Sequence, residues 1–174
     1  MFCQPPHIPV WPPAGAHRRS VRNDRLRPEV RLQEAAAAQV KVLVDTSVWS
    51  LALRRRTPPH DPTVAVLRAL AGQGRVAVIG PIRQEILSGI RDRPAFERLR
   101  DQLRAFPDEA IETADYELAA EYFSMCRAAG VQGSNTDFLI CAAAHRRAFP
   151  ILTADADFRR LAKLVPVALH GVSG

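Results

Sequence analysis

From residue 40 onward, short apolar runs alternate with longer stretches in which apolar residues return every three or four positions. Runs of the first kind read as buried parallel strands, and stretches of the second kind as amphipathic helices. VKVLV over 40–44 is apolar except for Lys41 and predicts a first strand, followed by a helix over 46–55. Asp61 and Pro62 are the residue types of an N-cap and a first helical position, which predicts a helix over 62–71 closed by Gly72 and Gly74. RVAVIG over 75–80 predicts a second strand, and Pro81 opens a helix that reaches about residue 90. Helices over 94–105 and 113–129 follow, the second ended by Gly130. A helix over 136–148, capped by Ser134 or Thr136, leads into a third strand over 149–153. A helix over 156–164 and a last strand over 165–169 complete the pattern. Strands alternating with helices predict an α/β fold, a central parallel sheet covered on both faces.

Residues 1–39 are of another kind. They hold six of the fourteen prolines and show no hydrophobic period. Such a segment buries too little apolar area to offset its ordering entropy, and it reads as a disordered Pro/Arg-rich leader with at most a marginal helix over 29–39. Because the periodic pattern begins abruptly at Val40, the sequence also carries the reading that the gene start is over-long and that translation opens there, at a GTG codon. The domain itself is expected over 40–174.

Charge changes the picture less than its total suggests. The formal net charge is +6, but six arginines against Asp24, Glu29 and Glu34 place half of it in the leader. The body is mildly basic, which by itself does not point to nucleic acid. Of the three cysteines, Cys126 and Cys141 fall inside apolar helical patterns and read as core residues in a reducing compartment, with no paired framework. The first thirty residues lack the apolar core of a secretory signal, and no apolar run reaches 18 residues. A cytoplasmic protein is the expectation.

The chemistry lies in four carboxylates. Asp45 directly follows the first predicted strand, Glu85 lies in the turn opened by Pro81, Asp137 begins its helix, and Asp155 follows the third strand. Loops at the carboxyl ends of parallel strands gather along one edge, where ligands bind, so at least three of these acids can converge. Converging carboxylates repel unless a cation neutralises them. Hard oxygen donors suit Mg²⁺ or Mn²⁺, and no His or Cys cluster competes for a softer metal. Such an ion binds a phosphate oxygen and acidifies water, the chemistry of phosphodiester cleavage. Each acid also has a plainer reading: Asp137, Asp155 and Asp61 have the type and place of helix caps. Asp45 stands open between ligand and cap, since it sets a charge at the rim of the core.

The motifs carry a resemblance as well. VKVLVDTSVWSLALRR resembles the amino-terminal motif of PIN domains, with its acid at Asp45 and its hydroxyl position at Thr46 or Ser47. VIGPIRQEILSGI resembles the second motif, with Glu85, and NTDFLICAAAHRRAFPILTADADF the paired third and fourth, with Asp137 and Asp155. IETADYELAAEYFSMCRAAGVQG is similar to the helix that precedes the third motif in VapC toxins. The resemblance covers 40 to about 170. It implies a three-layer α/β/α sandwich and an endoribonuclease toxin dependent on Mg²⁺ or Mn²⁺. Further implications are a homodimer, structured RNA targets such as tRNA or rRNA, and a cognate VapB-type antitoxin that blocks the acidic pocket. Carried over by position, Asp45, Glu85 and Asp137 form the catalytic metal-binding core and Asp155 a more variable fourth ligand. Asp157 then caps a helix or supports the ligands from behind. The leader departs from the family's compact pattern.

Other residues admit two readings. Arg54, Arg55 and Arg56 suit either RNA phosphates or a solvated loop. Arg83 suits either a phosphate or a neighbouring acid. Arg146–Arg147 and Arg159–Arg160 read as solvated helix faces, Trp49 as core or partner interface, and Tyr116, Tyr122 and Phe123 as core or dimer surface. His60 and His145 have no companion ligands. The alternative function is a catalytically silent PIN-like module that binds RNA or protein. An aspartyl phosphatase would usually want a second acid two residues after Asp45, where Ser47 stands. A receiver-type signalling domain would need a lysine and an acid cluster with no counterpart here.

Overall fold

The computed structural model describes residues 40–53 and 61–171. The expectations for residues 1–39, for Arg54–Arg55–Arg56 and for His60 lie outside those residues.

Four strands are described: β1 (Val42–Val44), β2 (Val76–Ile79), β3 (Asp108–Glu109) and β4 (Ile151–Leu152). They form one parallel sheet in the order β3-β2-β1-β4, and Leu169 bridges to Ile151 beyond β4. Every residue of β1, β2 and β4 is buried, as the continuous apolar runs require of strands covered on both faces. The helices are α1 (Thr46–Leu53), α2 (Pro62–Gly72), α3 (Gly80–Ser88), α4 (Arg93–Leu103), α5 (Thr113–Ala128), α6 (Asn135–Arg147) and α7 (Asp157–Leu161). Two packed groups result, α1 against α2 and α3 with α4 behind, and α5 against α6. The fold is a three-layer α/β/α sandwich. No helix is long and apolar enough to cross a membrane among the described residues.

The chain steps outward from β1 to β2 to β3, then returns to the other side of β1 for β4. That reversal leaves a crevice at the carboxyl ends of β1 and β4, where no crossover covers the sheet edge. Local chemistry agrees with the placement of most elements. Asp61 accepts from the Val64 amide at the start of α2, with Pro62 behind it. Ser134, rather than Thr136, caps α6. The strand expected over 165–169 is reduced to the single bridge at Leu169. β3 was not legible at all, because its two residues are an acidic pair at the sheet edge with no apolar signature.

Two arginine clusters fix the helices that carry the candidate acids. Arg83 of α3 is the neighbouring-acid case: it donates to Asp108 at 2.9 and 3.0 Å and to the carbonyls of Leu103 and Phe106. Arg146 and Arg147 at the end of α6 are not the solvated faces their sequence suggests. Both pair with Asp115 at 2.9 Å, Arg146 also reaches Glu112, and Arg147 donates to the Ala110 and Ala143 carbonyls. Asp115 is 0 % exposed and also accepts from the Glu112 amide, so the first turn of α5 and the last turn of α6 share one buried charge cluster. The Arg147 hydrogen bonds hold its carboxyl well below the usual carboxylate range.

Trp49 resolves to the core, fully buried and edge-on to Phe106 at 5.4 Å. α6 ends on Ala148 in the left-handed region, φ 52°, where glycine is the usual residue.

Two stability outcomes follow. Ala148→Gly removes the Cβ clash of that conformation and is expected to stabilise the fold by about 1 kcal/mol in chemical denaturation. Asp115→Asn leaves two arginines facing a neutral amide and is expected to cost about 3 kcal/mol at pH 7. Because the folded carboxyl titrates below its ordinary value, that difference is complete above about pH 4 and shrinks as the pH falls further. Urea melts of both chains from pH 7 to pH 3 measure it.

Candidate metal and phosphodiester site

Asp45 stands at the crevice because β1 ends on it. Its amide donates to the Leu152 carbonyl of β4, and its own carbonyl accepts from Val48, so it is at once the last rung of the sheet and the N-terminal residue of α1. Only 5 % of it is exposed. Three donors meet its Oδ2: the Ser47 hydroxyl at 2.5 Å, the Thr153 hydroxyl at 2.9 Å and the Ser47 amide at 3.3 Å. Oδ1 enters none of these bonds. Burial pushes the carboxyl above its ordinary value. The Ser47 and Thr153 bonds oppose that shift, and the charge of Asp137 adds to it.

The other acids are anchored in the same half-used way. Thr46, the next residue after Asp45, donates to Glu85 Oε2 at 2.7 Å and so ties the start of α1 to α3. Asp137 forms a reciprocal capping box with Ser134, its Oδ2 accepting from the Ser134 amide at 2.7 Å. Asp155 Oδ1 accepts from the Asp157 amide at 2.9 Å, while its own amide donates to Thr153 Oγ1. The bonds to the Ser134 and Asp157 amides therefore occupy one oxygen each of Asp137 and Asp155. Among the described residues one oxygen of each carboxylate is held by hydrogen bonds and the second enters none of them.

Asp45 and Asp137 come together closely enough for the charge of one to act on the other. Glu85 adjoins through Thr46, and Asp155 is linked to Asp45 through the Thr153 hydroxyl. Among the described residues no three His, Cys, Asp or Glu side chains close around a common point. Asp157 pairs with Arg160 and stays outside this group. The Ser47 hydroxyl also accepts from the Ala154 amide, locking the loop after β4 onto α1. Nothing in the sequence marks Thr153 as the partner of a residue 108 positions away. Its one signal is the first position of T-x-D-x-D-F.

Among the described residues Asp45, Glu85, Asp137 and Asp155 make no ion pair, whereas Asp101, Asp108, Glu109, Glu112, Asp115 and Asp157 all do. Cys141 lies near Asp45 and Asp137. Burial first, then the charges of Asp137, Cys126 and Asp45, push its thiol up to about 12, so it offers no thiolate. The donor set is hard oxygen alone. It fits an ion of the Mg²⁺ type, which is held by one or two carboxylates and keeps much of its water.

Comparison with known proteins bears on the family and the fold. The family model described as the PIN domain matches residues 42–164. A VapC ribonuclease of Mycobacterium bovis is 33 % identical over 126 residues, covering 71 % of this chain and 92 % of that protein. Ribonuclease VapC11 of Mycobacterium tuberculosis matches to the same extent. The crystal structure of FitAcB from Neisseria gonorrhoeae superposes with a TM-score of 0.59 at 20 % identity. The match covers 75 % of this chain and 97 % of that one.

A carboxylate whose affinity for its proton is raised by burial opposes folding once it ionises. Asp45→Asn, which copies the protonated group, is therefore expected to be more stable than the parent in EDTA at pH 7. The gain is expected to vanish below about pH 4, where the parent residue is protonated folded or unfolded. Thermal melts of the two chains across that range test this.

Proposed function

The chain belongs to the PIN-domain family, and from that premise we propose that it is an endoribonuclease toxin of the VapC type that cleaves RNA phosphodiester bonds in the cytoplasm with Mg²⁺ or Mn²⁺. The observation that carries the reading is the uncompensated acid set at the crevice. Among the described residues these four carboxylates make no ion pair, and one of them is buried. Two relatives at 33 % identity are ribonucleases by name.

In this reading Asp45, Glu85 and Asp137 would hold the ion, with Asp155 a more variable fourth ligand. When bound, a divalent ion supplies positive charge to the scissile phosphate and acidifies the attacking water. Ser47 and Thr153 orient Asp45 through Oδ2 and would leave Oδ1 to hold the ion. Thr46 does the same for Glu85. The hydroxyls bond to the charged form of Asp45 and favour it over the protonated one, so they keep a buried acid ready to bind a cation. A cognate VapB-type antitoxin that covers this acidic crevice, and a homodimer, complete the proposal. Its substrate class is structured RNA, tRNA or rRNA.

The purified full chain and its Asp45→Asn variant, incubated with total RNA in Mg²⁺, in Mn²⁺ and in EDTA, test the reading. Cleavage is expected only with metal, and the variant is expected to be slower by about 100-fold or more. A folded parent protein that leaves RNA intact in both metals, or a variant as active as the parent, overturns it.

A further inference from the structure

Beyond β4 the sheet ends on a stretch of chain that pairs inward and leaves its outer side open. The Ile151 amide donates to the Ala168 carbonyl at 2.9 Å, and the Ile151 carbonyl accepts from the His170 amide at 2.8 Å. In a parallel ladder that pattern turns the amide and carbonyl of the residue between, Leu169, away from β4. Alternation along an extended chain turns the Val167 carbonyl and the Gly171 amide the same way. Among the described residues none of these four groups makes a hydrogen bond. The Val167 amide is already taken by the Val165 carbonyl at 2.8 Å, and Pro166 has no amide hydrogen to offer.

The margin is also without fixed charge. Residues 164–171 hold no Asp, Glu, Lys or Arg. His170 is their one titratable side chain, and burial, then the charge of Arg75, hold it below the usual histidine range, which keeps it neutral at pH 7. Val167 and Leu169 are half-buried against the core, while Ala168 and Gly171 are exposed. Charged side chains are a common means of keeping two sheet edges apart, and this margin has none.

The four open groups form a pattern that a two-fold axis maps onto itself. With the two margins antiparallel and the axis at Leu169, each Leu169 amide meets the partner's Leu169 carbonyl, and each Gly171 amide meets the partner's Val167 carbonyl. Two donors and two acceptors in each copy are then used with none left over. We propose that residues 167–171 of two copies of this chain pair in this way, joining their sheets across an isologous interface. A margin of five residues buries far less than a standard interface, so the pairing is weak and depends on concentration. It gives the homodimer of the ribonuclease reading a surface, and rests on that reading for the dimer alone.

Hydrogen–deuterium exchange of the full chain at about 5 and about 500 µM, alongside sedimentation equilibrium, tests the pairing. Exchange over 165–171 is expected to slow several-fold at the higher concentration as the sedimenting mass rises. Leu169→Pro removes one donor from each copy without breaking a bond inside the chain, and Ala168→Lys sets a charge at an exposed position. Each is expected to raise the dimer dissociation constant about tenfold or more, with an unchanged circular dichroism spectrum. If Leu169→Pro does not fold, Ala168→Lys decides. A chain that stays monomeric at the higher concentration overturns the proposal. So does a dimer whose exchange over 165–171 ignores concentration, or whose dissociation constant Ala168→Lys leaves unchanged, and either result assigns the contact to another face. Cleavage of total RNA by the parent protein is scored separately, so an active parent with an unpaired margin rejects this inference and not the ribonuclease reading.

Discussion

Asp45 puts a carboxylate where a parallel sheet is least able to solvate it, at the buried end of its central strand with a second acid nearby. Most of the molecule bears on that difficulty. The backbone cannot move the residue away, because its amide completes the β1–β4 ladder and its carbonyl begins α1. Two hydroxyls and one amide take up Oδ2, yet the carboxyl still holds its proton more tightly than an ordinary aspartate. In the proposed reading a bound cation would offset that cost. Function would then be obtained at some expense of stability.

The arginines explain why the acids are left alone. A chain with excess positive charge would be expected to pair its carboxylates, and among the described residues Glu97, Asp101, Asp108, Glu109, Glu112, Asp115 and Asp157 do pair. Arg83 turns back from Glu85 to hold Asp108 and the end of α4. Arg146 and Arg147 turn toward Asp115 at the opposite end of α6 from Asp137. Each cluster fixes a helix that carries a candidate ligand while keeping its own charge clear of the crevice. Positive charge is used for scaffolding, and the negative potential of the site survives.

The strand–helix alternation and the four acids were legible because both leave local signatures: apolar runs, capping residues, and acids just past strand ends. β3 left none, since two acidic edge residues have no apolar period to read. The roles of Arg146 and Arg147 were hidden for another reason: a basic pair at a helix end looks solvated until the packing of α5 supplies Asp115. Thr153 belongs with these, because its bond to Asp45 depends on which strands are neighbours in space. The sequence posed ligand and cap as rival roles for Asp137 and Asp155. In three dimensions each carboxylate has two oxygens, and one of them is enough to cap.

The brevity of β3 has a consequence for how other molecules meet this one. Sheet edges invite a foreign strand to add itself through backbone hydrogen bonds. Here the β3 edge presents two residues, both acidic, with Asp108 tied to Arg83 and Glu109 to Lys41 at 2.5 Å. So short and charged a margin is a poor template for strand addition. Along that margin recognition passes to side chains, and a binding partner must be selected by shape and charge on the helices.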